Sequence, residues 1–465
     1  MAMELQIRNS SKHDDDGHLK RTGTWVIASA HIVTAVIGSG VLSLAWAVAQ
    51  LGWIAGPAIL LIFSVITLFT SFLLTDCYRY PDSVHGMRNH TYTEMVKTIL
   101  GGIQCKFCGL AQYVNLIGVG IGYTITASIS MVAIRKSNCF HKNGHDAVCH
   151  TPNYPFMIIF AVVEILLSQI PDFHELSGLS ILAAIMSFGY SFIGIGLSIA
   201  KIAGGNRGKT SLTGVIVGED VTSQQKLWNS FQAIGNMAFA YAFSMVLVEI
   251  QDTLKSSPPE NQSMKRASLC GVTITTLFYL LCGLLGYGAF GNKAPGNFLT
   301  GFGFYEPYWL VDIGNVFIIV HLVGAYQVFT QPFFQLVENW CRKRWPESKF
   351  MAKEYVVNVP LVGTNRMNGF RVIWRTVYVI FTTVVAMLLP FFNSVLGLLG
   401  ACAFWPLTVY FPTEMYLVQA KVPKFSMIWI GMKLLSGFCL IVSLVAAAGS
   451  IQGIIVDLKV YKPFK

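Results

Sequence analysis

The chain has 465 residues, of which 54% are hydrophobic and 12% charged, with a mean hydropathy of +0.55. A soluble domain carries about 25% charged residues, so this composition excludes one and implies a polytopic membrane protein. The formal charge of +10 comes from 33 Lys+Arg against 23 Asp+Glu. These basic residues sit in short loops between apolar runs, where they orient helices, and no basic domain exists that would hold nucleic acid.

Residues 1–22 are polar, with Asp14, Asp15 and Asp16 followed by Lys20 and Arg21. They lack the apolar core of a signal peptide and read as a disordered cytosolic tail. Residues 23–465 read as one transmembrane domain. Eleven apolar runs are long enough to span a bilayer, which needs about 17–25 residues. They lie at 25–51, 54–76, 108–134, 155–171, 177–203, 228–252, 267–290, 307–337, 372–392, 394–418 and 427–452. Short turns at 51–53 and 171–174 join neighbours, and Pro390, Asn393 and Ser394 mark another. The eighth run is long and reads as tilted or extended beyond the bilayer.

With the N-terminus inside, the inner loops are 77–107, 253–266, 339–371 and 419–426. Together with the tail and Arg375 they hold about 21 of the 33 basic residues, and the outer segments about half as many. This places the N-terminus in the cytosol and, with eleven spans, the C-terminus outside. Cys139 and Cys149 fall in the outer loop 135–154, where an oxidising environment allows a disulfide; two free thiols are the alternative. Three Asn-x-Ser/Thr triplets begin at Asn9, Asn89 and Asn261, all on the inner side, so none is expected to carry glycan. Cys105-x-x-Cys108 has no second ligand pair nearby and reads as chance spacing, so no metal site is expected.

The first run carries Gly38-Ser39-Gly40 near its middle. A spanning helix must satisfy its own backbone groups, and two glycines with a serine suit a helix that unwinds inside a protein cavity. Close helix packing is the competing account. Segment 6 carries Gly235, Asn236, Ala238, Ala240 and Ala242 at the corresponding place. Five spans per unit, an odd number, force a second unit of five to enter from the opposite side. Inverted repeats at about 25–203 and 228–418 follow, with an extra helix at about 427–452. A broken helix presents unpaired N–H donors at one new end and carbonyls at the other. Two such breaks side by side suit the two charges of a zwitterion, and a free α-amino acid is the economical substrate.

The unwound stretch Val36, Ile37, Gly38, Ser39 and Gly40 is therefore expected to bind substrate, with Phe239, Ala240 and Tyr241 from segment 6. Phe239 and Tyr241 read either as a cover over the substrate side chain or as plain core. Asn115 and Tyr123 lie on one face of segment 3, thinned by Gly118, Gly120 and Gly122, and are candidates for lining the site; helix packing explains the glycines equally well. In segment 8, Asp312 and His321 are ionisable, and Asn315 lies one turn beyond Asp312. Ionisable groups inside a membrane point to function, and His titrates near physiological pH; for Asp312 a place at the outer interface is the alternative. Glu164 in segment 4 receives no role. Asp76, Asp172 and Glu175 read as solvated or capping groups. Neither HExxH nor GxSxG is present, so no enzyme activity is expected.

Residues 29–46 (SAHIVTAVIGSGVLSLAW) closely resemble the first helix of the plant amino acid permeases. So do 232–235 (QAIG), 239–241 (FAY), 249–253 (EIQDT), 301–305 (GFGFY), 321–327 (HLVGAYQ) and 404–412 (FWPLTVYFP). The likeness runs from about residue 20 to the end. It implies the amino acid/auxin permease family with an eleven-helix, all-α version of the leucine-transporter (LeuT-like) fold. It further implies a proton-coupled symporter of the plasma membrane with broad amino acid specificity and no cofactor beyond the coupling proton. The family usually has Asp where this chain has Asn236, which cannot titrate. The candidates for proton coupling are therefore Asn236, as the family's position, with Asp312 and His321.

Overall fold

The computed structural model describes residues 21–144, 146–170, 177–302, 307–359 and 363–461. Residues 1–20 of the expected tail, the turn at 171–174 with Asp172, Glu175, and residues 303–305 lie outside the described residues. In chain order the helices are α1 (Trp25–Val36), α2 (Leu44–Asp76), α3 (Tyr92–Leu100), α4 (Gly102–Asn143), α5 (Tyr154–Ser168), α6 (Ser177–Ala203), α7 (Ser223–Ala240) and α8 (Ser244–Gln251). They continue as α9 (Glu260–Phe290), α10 (Tyr308–Arg344), the short α11 (Lys349–Ala352), α12 (Gly369–Leu388), α13 (Phe392–Ala403), α14 (Phe411–Gln419) and α15 (Met427–Val460).

The protein is a helical polytopic membrane protein. Two small antiparallel hairpins interrupt the expected all-α pattern, β1–β2 (Arg79–Tyr80 with Met87–Arg88) and β3–β4 (Glu354–Val359 with Gly363–Asn368). Both lie in loops, where backbone groups outside any helix pair with each other. Among the described residues, nine helical stretches are long and apolar enough to cross a membrane, and two shorter apolar helices, Trp25–Val36 and Tyr154–Ser168, accompany them. This differs from the count of eleven runs because helix breaks do not fall where apolarity ends. Ser39–Asp76 runs as one 38-residue stretch, yet a straight helix of that length would measure about 57 Å, nearly twice a bilayer core.

Gly52 divides that stretch. It sits at φ 81, ψ −177, a left-handed conformation that side chains disfavour. A Cβ there would fall 2.3 Å from Gly214 N and 2.4 Å from Leu212 O. Gly214, also at positive φ, returns the contact on the Ala49 and Gln50 carbonyls. Lys226 Nζ locks the crossing by donating to the carbonyls of Gln50 (2.7 Å), Thr213 (2.5 Å) and Val215 (3.0 Å).

Helix starts follow local chemistry. Thr222 and Gln225 form a capping box on α7, and Thr24, Thr91, Asn368 and Ser426 cap α1, α3, α12 and α15. Glycines set how closely the central helices cross. A Cβ on Gly400 would lie 2.1 Å from Gly235 O, and one on Gly235 would lie 2.5 Å from Gly397 O, so α7 and α13 meet backbone to backbone. The glycine and small residues at 235–240 thus serve packing inside a continuous α7. The interruption expected within Gly235–Ala242 falls at the end of that stretch, at Tyr241–Phe243, where α7 ends and α8 has not begun. A further irregularity was not expected: the backbone widens into π geometry over Phe404–Tyr410 around Pro406, which has no N–H to give. Tyr92 Oη meets the Leu407 carbonyl there at 2.7 Å.

Gly52→Ala is expected to prevent correct folding, since the new Cβ meets fixed backbone on the 212–214 segment. Size-exclusion chromatography of the detergent-solubilised, fluorescently tagged variant should show loss of the monodisperse peak, whereas Gly431→Ala, at an open position, should keep it.

Candidate substrate site

The first break begins where α1 stops at Val36. Ile37 turns out of the helix (φ −76, ψ 81), Gly38 is extended (φ −123, ψ −150), and a 3₁₀ turn at Ser39–Ser43 restarts the chain into α2. A restarted helix leaves its first N–H groups without intrahelical acceptors; here these belong to Ser39 and Gly40. The second break lies beside it. A Cβ on Gly40 would fall 3.0 Å from Ala240 Cα and 3.4 Å from Phe239 Cδ1, so only glycine permits this approach.

Tyr279 of α9 joins the two breaks. Its hydroxyl lies 2.6 Å from the Val36 carbonyl and 2.7 Å from the Ala240 carbonyl, the last of α1 and the last of α7. Tyr190 of α6 donates to the Gly38 carbonyl at 2.9 Å, and Ser43 Oγ to the Gly40 carbonyl at 2.9 Å. Carbonyls freed by the interruption thus each receive a donor, as buried backbone groups require.

His321 of α10 stands on the other side of Gly38. Its Nδ1 lies 2.8 Å from the Ala183 carbonyl. A carbonyl only accepts, so Nδ1 carries hydrogen and Nε2 of the neutral ring keeps its lone pair. Nε2 is buried without a partner, 3.7 Å from where a Gly38 Cβ would be. Asn115 reaches the second break through Met245, with Nδ2 3.4 Å from its sulfur and Oδ1 unpartnered. Phe239 is partly buried against Gly40.

Other expected residues stand elsewhere. Tyr241 turns to α9, donating to Thr276 Oγ1 at 3.2 Å and packing edge-on to Tyr279. Tyr123 is buried edge-on to Phe329 of α10. Asn315 bonds the Val311 carbonyl of its own helix at 2.9 Å and lies six residues, about 9 Å, from His321. Asp312 accepts from Asn138 Nδ2 at 2.7 Å, beside the Cys139–Cys149 disulfide and about 13 Å along α10 from His321. Asn236 is fully buried between α7 and α13 with neither side-chain atom partnered. Tyr279 and Tyr190 were missed. Both are polar-tipped aromatics within apolar runs, which is the one signal the sequence offers for them.

The end of the bundle opposite the disulfide is tied shut. Glu260 takes Arg79 through two bonds (3.1 and 2.6 Å) and Arg21 at 2.9 Å. Tyr78 donates to Asp252 Oδ1 at 2.5 Å, and Arg88 and His90 pair with the same carboxylate. Backbone bonds between Gly23, Thr253 and Lys255 fasten the start of α1 to the end of α8. Burial, and the Asp252 carboxylate it serves, push the Tyr78 hydroxyl well above the usual tyrosine range. Asn89 and Asn261 are buried here, bonded to the Tyr78 carbonyl and to Asp76.

The family model for transmembrane amino acid transporter proteins matches residues 21–456. The chain belongs to the transmembrane amino acid transporter family. It is 65% identical to amino acid permease 6 of Arabidopsis thaliana, covering 99% of this chain and 97% of that one. It is 64% identical to amino acid permease 1 of the same plant, covering 97% and 93%. A solved structure of MhsT in complex with L-phenylalanine superposes with a TM-score of 0.54 at 10% identity, covering 92% of this chain and 100% of that one. This member of the family is a transporter rather than an enzyme and has a LeuT-like fold.

Tyr279→Phe is expected to raise the substrate concentration for half-maximal uptake about tenfold, since two buried carbonyls lose a donor worth about 1–3 kcal/mol. Concentration-dependent uptake of radiolabelled amino acid, at matched surface expression, measures this.

Proposed function

We propose that this protein imports amino acids across the plasma membrane by proton-coupled symport with alternating access. The observation that carries the reading is the pair of facing breaks, in contact at Gly40 and Ala240 and bridged by Tyr279. The substrate carboxylate sits on the N–H groups of Ser39 and Gly40, at the positive end of the restarted helix. The ammonium sits on the Ala240 carbonyl, which has one lone pair beyond that facing Tyr279, whereas the Val36 carbonyl already accepts from both Tyr279 and the Gly38 N–H. The site carries no bare charge, so it suits a broad range of amino acids, neutral ones included.

His321 is the coupling group in this reading, because the lone pair of Nε2 stands beside the Gly38 backbone. Protonation there places a positive charge next to the bound carboxylate, so proton and substrate favour each other's binding. Asp312 and Asn236 are the weaker candidates: the first is held by Asn138 near the disulfide, and the second has no titratable proton. The N-terminus and the Arg21–Glu260–Arg79 cluster lie in the cytosol, and the disulfide and C-terminus outside. Eleven crossings follow when Gly52 separates the first two and α1 and α5 each cross with their neighbouring turns. Import then requires the cytosolic cluster to part while the outer halves of the broken helices close.

Two measurements on one expression system test this. Gly40→Val should lower uptake by at least about tenfold with surface expression intact, because the added side chain overpacks against Ala240; unimpaired uptake would refute the site. Substrate-evoked inward current in the unaltered protein should grow as external pH falls from about 7 to about 5 and persist without sodium. A current that requires sodium would replace the proton by sodium in the cycle.

A further inference from the structure

We propose that Glu164 is the group through which this transporter releases its proton to the cytosol, guarded by Arg375 and Glu338. The inference rests on the proton-coupled reading above and extends it to a residue the substrate site does not use. Glu164 lies in α5, wholly buried. Its Oε2 accepts from Gln327 Nε2 of α10 at 2.6 Å, and its Oε1 has no partner. Gln327 Nε2 is shared with Ser168 Oγ at 3.1 Å, and Gln331 Nε2 donates to Gln327 Oε1 at 3.2 Å. Among the described residues Glu164 forms no ion pair.

The groups around it are few. From α10, Tyr326 stands near and is bonded to Thr382. From α12, Arg375 comes within one turn: its Nη1 donates to the Ser168 carbonyl at 2.5 Å and the Ile170 carbonyl at 3.3 Å. Its Nε is held by Glu338 Oε1 at 2.7 Å, and Arg371 pairs with the other Glu338 oxygen at 3.4 Å. From α4, no charged side chain is recorded against Glu164 among the described residues.

A carboxylate in such a place has one amide donor and no cation, which does not offset the loss of its hydration. The neutral acid is therefore the form this conformation holds. Since Oε2 already accepts from Gln327, the proton resides on Oε1, where it has no acceptor. Beyond Arg375 and Glu338 a cavity of about 250 Å³, lined by Glu338, Arg342 and Arg371, opens at the end of the bundle read as cytosolic. The buried pair separates that cavity from Glu164.

The step balances simply. When the cytosolic end opens and water reaches α5, the O–H bond of Glu164 breaks and the proton passes to that water. The carboxylate left behind takes the Arg375 guanidinium, which gives up the Ser168 carbonyl, and Glu338 keeps Arg371. Reprotonation of Glu164 is required before the closed packing of α5, α10 and α12 can return. Release is thereby tied to the conformational change rather than left open to leak.

Glu164→Gln mimics the protonated acid and tests the idea in proteoliposomes. Exchange of preloaded for external amino acid, which needs no net proton release, should stay within about threefold of the unaltered protein. Accumulation driven by an imposed pH gradient should fall at least about tenfold and lose its dependence on internal pH. Gradient-driven accumulation by the variant at the unaltered level and pH profile would overturn the proposal. If the unaltered protein itself accumulates nothing on a pH gradient, the coupling reading fails first, and that failure is visible without any variant. Should Glu164→Gln show neither exchange nor accumulation, the unaltered protein decides through dicyclohexylcarbodiimide, which attacks buried protonated carboxyls. An adduct on the Glu164 peptide by mass spectrometry, declining as internal pH rises, supports the assignment, and its absence at every pH refutes it.

Discussion

The Tyr279 hydroxyl is the point on which the centre of this protein depends. Two helices stop within the bilayer, and each leaves a carbonyl that lipid cannot satisfy. One phenol from a third helix stands between both, 2.6 Å from Val36 and 2.7 Å from Ala240. A single proton serves two acceptors there; the Gly38 N–H takes the second site on Val36, and the Ala240 carbonyl keeps hydrogen-bonding capacity for something smaller and mobile. The breaks are thereby held against collapse while remaining available, which a fully paired backbone would not allow.

Around that point the molecule trades side chains for proximity. Gly40 against Ala240, Gly235 against Gly397 and Gly400 against Gly235 bring main chains into direct contact. Between helices in a membrane the hydrophobic effect offers little drive, and close van der Waals approach replaces it. Polar side chains gather at two other levels. One is the Arg21–Glu260–Arg79 and Tyr78–Asp252 cluster at the mouth, where ion pairs and a hydrogen bond among the start of α9 and the segments flanking α1, α2 and α8 hold one end closed. The other is the buried Glu164–Gln327 and Arg375–Glu338 set, which joins α5, α10 and α12. The likeness to MhsT at 10% identity shows that this architecture survives replacement of nearly all its side chains.

Much of the plan was open to a reader of the chain. Mean hydropathy and the spacing of apolar runs placed the helices, because a bilayer sets both their length and their composition. Gly38-Ser39-Gly40 marked the first break, since the residues that tolerate an extended, unpaired backbone are few. Gly52 marked the reversal after the first run for the same reason. The second break was placed only within Gly235–Ala242, because small residues signal either an interruption or a tight crossing; the first of them make the crossing with α13, and the break comes at the end of the stretch. The hairpins and α3 were missed because they are short and lie in polar loops, and the π-widened turn at Phe404–Tyr410 because it meets a partner distant in sequence, Tyr92.

Period, length and glycine position are local properties, and the membrane solvent acts on each segment separately; from them the chain alone determined a many-helix transporter architecture with an interrupted first helix. Which side chains face that interruption was decided only by the tertiary structure. Tyr279, Tyr190 and His321 come from three different helices, and Tyr241, adjacent to the second break in sequence, turns away to Thr276. The rotation of each helix about its own axis is set by what it packs against, and that information is shared among all the helices and written in none of them singly.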